Sequence, residues 1–240
     1  MSAPTMGPWP KKVPELTLEQ ARISNDWMKH WLDEQMSKKA YLRLVDNFNQ
    51  RYPLRSVKPG ARTLELGAGV GTHCQWENLT NQNYYCNELR DELAKKIRER
   101  FPRAQTAIGD CQQRLDFPDQ FFDRVIAIHV LEHLPNLPGA LTEVHRLLKP
   151  TGEFSVVIPC EGGFGYGLAR RASSQRIFEK RYHWNYHEYI RTEHVNTAIE
   201  VIALLEEKFV VEHRAFFPSL IPVIDLNLVI GLTLQRRQGR

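Results

Sequence analysis

Several things are scarce in this 240-residue chain, and each scarcity removes a class of protein. Its four cysteines, Cys74, Cys86, Cys111 and Cys160, contain no C-x-x-C pair, so neither a disulfide framework nor a cysteine zinc site is indicated. A reducing cytosol is the expected compartment. Net charge is slight: 32 Lys and Arg against 28 Asp and Glu leave +4, too little to imply nucleic acid from composition. Long hydrophobic runs are missing. The most apolar stretch, 220–234, contains Pro222, Asp225, Asn227 and Gly231 and is shorter than the ~20 residues of a membrane span. The proline-broken N-terminus has no apolar signal core. A soluble, cytoplasmic protein is expected.

What remains is ordinary globular material, 42% hydrophobic and 25% charged, enough for one domain with decorations. Residues 1–15 carry Pro4, Pro8, Pro10 and Pro14 and read as a flexible tail. Residues 16–58 read as an N-terminal helical cap. Thr17 and Gln20 are spaced as a capping box ahead of Leu18, Ala21, Ile23, Trp27, Trp31 and Leu32, and a second helix spans 38–52, closed by Pro53. From residue 60, short apolar strands (62–66, 83–87, 105–108, 122–129, 153–158) alternate with helices (90–100, 138–148). That alternation implies βαβ units in an α/β, three-layer, doubly wound, mostly parallel sheet. A helix over 192–207 then precedes strands 209–217 and 226–234, which are joined too tightly for a helical crossover and are therefore antiparallel.

The chemistry starts at Glu65-Leu-Gly-Ala-Gly-Val-Gly71, between the first strand and an expected helix. Glycines at alternate positions let the backbone turn sharply and approach a ligand closely. A dinucleotide fingerprint, as in an NAD-dependent oxidoreductase, puts its third glycine five residues after the first. Here Gly71 follows Gly67 by four, and the charge of Glu65 suits an ammonium better than a pyrophosphate. The run resembles motif I of the class I S-adenosylmethionine-dependent methyltransferases, and further segments follow in that family's order. Tyr84-Tyr-Cys-Asn-Glu88 is similar to its second strand, whose acidic end bonds the ribose hydroxyls. Ile108-Gly-Asp110-Cys111 resembles its adenine-contacting segment. His129-Val-Leu-Glu-His133 resembles the turn after its fourth strand, and Leu147-Leu-Lys-Pro-Thr-Gly-Glu153 the bend into its fifth.

The resemblance implies a seven-stranded Rossmann-like fold with one antiparallel C-terminal strand, S-adenosylmethionine as cofactor and S-adenosylhomocysteine as product. It implies cofactor contacts at Glu65, Gly67, Ala68, Gly69, Gly71, Glu88, Leu89, Asp110, Cys111 and His129. A sulfonium methyl is already activated, so the protein mainly aligns the acceptor. A hydroxyl acceptor also needs a base, for which His129 is the candidate, the alternative being that it packs against the cofactor. His133 reads as structural, and no metal is called for. Binding residues alone leave open a non-catalytic cofactor-binding partner protein.

Acceptor choice falls to the insertion at 160–191. It opens on Gly162-Gly-Phe-Gly-Tyr-Gly167, read as a flexible lid, and holds Phe178, Tyr182, Trp184, Tyr186 and Tyr189 beside Arg170, Arg171, Arg176, Lys180, Arg181 and Arg191. Aromatic faces and guanidinium groups suit a sugar ring and a phosphate, the alternative being a packed lid with solvated arginines. The order Phe178-Glu-Lys-Arg-Tyr182, then Glu193-His-Val-Asn196, then the ending from Pro218 to Leu232 resembles methyltransferases of bacterial surface-polysaccharide gene clusters. That resemblance implies O-methylation of a glycan or nucleotide-sugar, a small acceptor that can carry phosphate. The Asn/Asp-Pro-Pro-aromatic run of nucleic-acid amino-methyltransferases is missing, so no nucleic acid is expected, and membrane contact is at most peripheral. Oligomeric state stays open.

Overall fold

Three strands carry the molecule's most apolar residues on both faces, and they form the middle of the sheet. These are β1 (Arg62–Leu66), β4 (Phe122–Ile128) and β5 (Leu148–Pro159). Leu64, Val125, Ile126, Ala127, Val156 and Val157 have no exposed surface, as expected for parallel strands covered on two sides. The computed structural model describes residues 7–37 and 40–237, with the side chains of 31–42 excepted, so the side chains of Trp31 and Leu32 lie outside what it describes.

The sheet is completed by β2 (Asn83–Glu88), β3 (Gln105–Ile108), β6 (Phe209–Phe217) and β7 (Val229–Arg236), in the order β3-β2-β1-β4-β5-β7-β6. Only β7 runs antiparallel, to β5 on one side and β6 on the other. The order reverses between β1 and β4, so the carboxyl ends of these strands open the crevice where ligands bind in such sheets. Helices α3 (Asp91–Arg100), α4 (Leu137–Leu147) and α8 (Ala198–Lys208) cover the faces. The larger core joins Leu64 and Leu66 to α4 and α8 through Leu141, Val144, Val201 and Leu205. A smaller one packs Tyr84, Cys86 and Ile126 on Ile97 of α3.

Four expectations change. The helix expected after Gly71 is only a 3-10 turn, His73–Gln75. The segment curls inward because His73 and Glu77 are drawn to buried partners: His73 to Gln50 at 3.0 Å, Glu77 to Arg124 at 2.7 Å. The glycine run at 162–167 is no loose loop but enters helix α5 (Phe164–Arg170). A Cβ on Gly163 or Gly165 would meet Ile224 or the Asp225 carbonyl at 2.9 and 2.7 Å, so these glycines serve close packing. The helix expected over 192–207 is two: α7 (Tyr186–Glu193), following α6 (Arg176–Tyr182), and then α8, capped by Thr197 and Glu200. Buried Asn196 forces the break by donating to the carbonyls of Leu131 and Leu134, both at 2.8 Å.

Last, the expected tail is partly docked. Residues 1–6 lie outside the described residues, but Trp9 packs on the core and Lys11 Nζ bonds Glu200 at 2.6 Å. The Thr17–Gln20 capping box is present and starts α1 (Leu18–Ser37), which packs on α6 and α7 through Trp27; α2 (Ala40–Arg51) leads instead into the Tyr52 turn on the sheet.

Candidate active site

The glycine loop leaves β1 with Gly67, Gly69 and Gly71 all at positive φ, +56°, +58° and +74°. Two are held by packing: a Cβ would strike Val130 at 2.8 Å from Gly67 and Phe101 at 3.0 Å from Gly71. Gly69 differs. A Cβ there meets nothing within 4 Å, so the loop's tip faces open space at the crevice. Ala68, buried, ties the loop to β2 through its amide and the Asn87 carbonyl, 3.0 Å apart.

Glu88 ends β2 beside this tip, 5% exposed. Its Oε2 accepts from the Gly69 amide at 2.8 Å, and its Oε1 from the amides of Leu89 and Arg90 at 3.0 and 3.1 Å. A carboxylate has about four acceptor positions. Three are occupied by main chain, so one stays open, on Oε2, where the resemblance implies bonds to the ribose hydroxyls. Leu89 (65% exposed) and Ile108 (54%) flank Glu88 with bare apolar surface suited to a purine face. Asp110 follows β3, its Oδ1 held by the Gln112 amide and side chain at 2.9 and 3.0 Å. Cys111 is buried in the main core, burial pushing its thiol up to about 12, so only its main chain can meet a ligand.

Glu65 is placed differently from the expectation. It is 4% exposed, accepts from the Tyr84 hydroxyl at 2.9 Å and lies among Cys74 and Cys86. Burial raises its carboxyl to about 7. It stiffens the interior beneath the loop.

His129, just past β4, sits at φ +52°, a conformation that non-glycine residues adopt rarely and that concentrates at functional sites. Its amide is tied to the Val157 carbonyl at 2.9 Å, and its Nδ1 is 3.1 Å from Oε1 of Glu132, which is 1% exposed. Burial works to raise the Glu132 carboxyl, but the bond from His129 and the imidazoles of His129, His133 and His194 prevail and hold it at about 2. An ionised Glu132 accepts a hydrogen bond from Nδ1–H, and the neutral tautomer that carries its proton there keeps its lone pair on Nε2. His129, one-third exposed, is thus an oriented imidazole at the crevice.

The fold adds residues that the sequence does not bring together. His133 Nδ1 donates to the Glu193 carbonyl at 2.8 Å, His194 Nδ1 lies 2.8 Å from Glu161, and Arg170 forks onto both oxygens of Glu161 at 2.8 and 2.9 Å. Glu132, His133 and His194 come within 4.8 Å of one another at their ligand atoms. Sixty residues separate the two histidines, and no local spacing could have paired them. Arg170 also stands over the rings of Tyr166 and Tyr186.

The lid aromatics have their own partners. Phe178, Tyr186 and Tyr189 are buried together with Trp27, and Tyr182 and Trp184 pack on them, so these rings build the lid. Arg181 pairs with Asp26 at 3.0 Å, while Arg171, Arg176, Lys180 and Arg191 are exposed.

Residues 64–156 match the family model described as a methyltransferase domain. The sterol 24-C-methyltransferase of Schizosaccharomyces pombe is 32% identical over 109 residues, 42% of this chain; the chain spans only 28% of that protein's length. That of Aspergillus fumigatus is 34% identical over 114 residues, again 42% and 28%. Among solved structures, the N-methyltransferase NodS of Bradyrhizobium japonicum, in complex with S-adenosylhomocysteine, superposes with TM-score 0.62 at 15% identity, covering 90% of this chain and 99% of its own. The [4+2]-cyclase SpnF superposes with TM-score 0.63 at 14% identity, covering 95% and 100%.

Proposed function

We propose, on the premise that residues 64–156 are a class I S-adenosylmethionine-dependent methyltransferase domain, that this chain transfers a methyl group to a hydroxyl oxygen of a small molecule, a sugar or nucleotide-sugar. The observation that carries the reading is His129, held in a strained backbone with Nδ1 on buried Glu132 and Nε2 bare at the crevice. That is a base oriented by a carboxylate.

The residues fit the cofactor: an open glycine tip at Gly69, an acceptor position on Glu88, apolar cover from Leu89 and Ile108, and Asp110 at the purine end. S-adenosylmethionine supplies a methyl on a positively charged sulfur. Gly67 and Gly69 let main chain close on it, Glu88 fixes the sugar, and Asp110 marks the ring edge. With the cofactor bound, His129 Nε2 would accept the proton of an acceptor hydroxyl aligned with that methyl. A dinucleotide suits the site poorly, because no α-helix starts after Gly71 to receive a pyrophosphate.

The similarity to sterol methyltransferases covers little beyond the cofactor-binding half of the chain, so it bears on the cofactor and not on the acceptor. The exposed lid arginines support an acceptor carrying phosphate. The cyclase SpnF shows that this fold also hosts other chemistry, so cofactor binding and turnover need separate measurements. Calorimetry is expected to show S-adenosylhomocysteine binding, with Glu88→Ala weakening it at least tenfold. Labelled S-adenosylmethionine and nucleotide-sugar pools are expected to give radiolabelled product with the native chain and at least about a hundredfold less with His129→Ala. Cofactor binding with no transfer to any acceptor would favour a non-catalytic partner protein.

A further inference from the structure

We propose that Glu132, His133 and His194 form a binding site for one divalent first-row transition-metal ion, open on the acceptor side of the crevice. The donor atoms already lie within 4.8 Å of one another. Bonds of about 2.1 Å to an ion draw such atoms to about 3.4 Å apart, a movement that small side-chain rotations provide.

The hydrogen bonds prepare the cluster. His133 Nδ1–H donates to the Glu193 carbonyl, and His194 Nδ1–H donates to Glu161, itself gripped by Arg170. Each imidazole is therefore fixed with Nε2 as its lone-pair nitrogen. A carbonyl or carboxylate behind a histidine is the support that metal-binding imidazoles require. His133 Nε2 is turned toward Glu132, 4.0 Å from Oε1, and the two rings meet edge to face with centroids 4.7 Å apart.

An independent observation points to a missing ligand. Glu132 is 1% exposed, yet its Oε2 has no hydrogen-bond partner among the described residues, and Oε1 is engaged by His129. A buried carboxylate oxygen without a partner is costly, and a cation bound at Oε2 removes that cost. Access exists, since the His133 side chain keeps 35% of its surface. Two imidazoles and one carboxylate favour zinc, cobalt or manganese over magnesium or calcium.

Three protein ligands leave coordination positions open. Resting on the proposed methyl transfer, an acceptor hydroxyl occupies one: the ion polarises its O–H, the proton passes to His129 Nε2, the oxygen forms the C–O bond, and the S–CH3 bond breaks with its electron pair returning to sulfur. Binding of the ion itself does not depend on that reading.

The test uses the full chain freed of metal with a chelator, titrated with Co2+ by visible absorption and with Zn2+ by calorimetry. One ion per chain is expected, with d–d bands of nitrogen and oxygen ligation and no thiolate charge-transfer band. His133→Ala, His194→Ala and the nearly isosteric Glu132→Gln are each expected to weaken binding about tenfold or more. S-adenosylhomocysteine affinity, measured in parallel, should be unchanged in the two histidine variants, which shows that they are folded. No stoichiometric binding, unaltered affinity in all three variants, or a thiolate band marking the buried Glu65, Cys74 and Cys86 group would overturn the proposal. Metal binding without any S-adenosylhomocysteine binding would leave the ion site standing and sink the methyl-transfer reading.

Discussion

Gly67 and Gly69 share almost the same positive φ but differ in surroundings, so the same substitution acts on them differently. Gly67→Ala adds a clash with Val130 to the backbone strain of about 1–2 kcal/mol and should lower the melting temperature most. Gly69→Ala should carry the strain alone, while placing a methyl in the open space at the crevice; S-adenosylhomocysteine affinity is expected to fall further than stability does. Thermal melts and calorimetry on the pair check this. Glu65 supplies a pH signature. Burial raises its folded carboxyl to about 7 from an ordinary 4.5, so the folded state keeps a proton that the unfolded chain releases. The resulting stability is complete below pH 4.5 and is lost as pH rises through about 7, by on the order of 3 kcal/mol. Glu65→Gln should flatten that part of the stability profile measured by urea unfolding at pH 4.5 to 8.

Among elements, the connection from β1 to β2 relies on ion pairing where a helix was expected. Arg124 of β4, 1% exposed, bonds Glu77 Oε1 at 2.7 Å, Ser56 at 2.8 Å and the Pro53 carbonyl at 2.5 Å, so one guanidinium holds the connector and the Tyr52 turn to the sheet. Burial favours the neutral Glu77, but His73 and Arg124 overcome it and bring the carboxyl to about 2. Its contribution is therefore full above pH 4.5 and lost as pH falls through 2, opposite in sign to that of Glu65. Glu77→Gln leaves a buried guanidinium without its counter-charge and should cost about 3–5 kcal/mol in urea unfolding. Replacing Arg124 and Glu77 together by leucines should cost less than the sum of the two single changes, as coupled partners do.

Across the whole molecule, two aromatic side chains anchor the N-terminal helices. Trp27 seats α1 on the aromatic cluster of α6 and α7, while Tyr52 seats the turn after α2 against Gly231 of β7, where a Cβ would lie 2.5 Å from its ring. The lid is thus clamped by a helix more than a hundred residues away in sequence. Trp27→Ala should loosen α1, α6 and α7 by roughly 3–5 kcal/mol and speed their hydrogen exchange selectively, leaving β1, β4 and β5 protected as before. The succession of strands and helices along the chain and the glycine bend were legible in the sequence, because they follow from short-range patterns of apolar periodicity and backbone freedom, while the placing of Glu88, Asp110 and His129 at strand ends followed from the resemblance to the methyltransferase family. Which way Glu65 faces, how many positions Glu88 keeps open and whether the lid rings meet a sugar or one another depended on neighbours distant along the chain. So did the meeting of Glu132, His133 and His194. Local pattern selects elements and their ends, whereas side-chain partners across elements are set only when the packed sheet brings residues 130 and 190 into contact, because hydrogen bonds and charges act over a few ångströms of space and not over spacing in sequence.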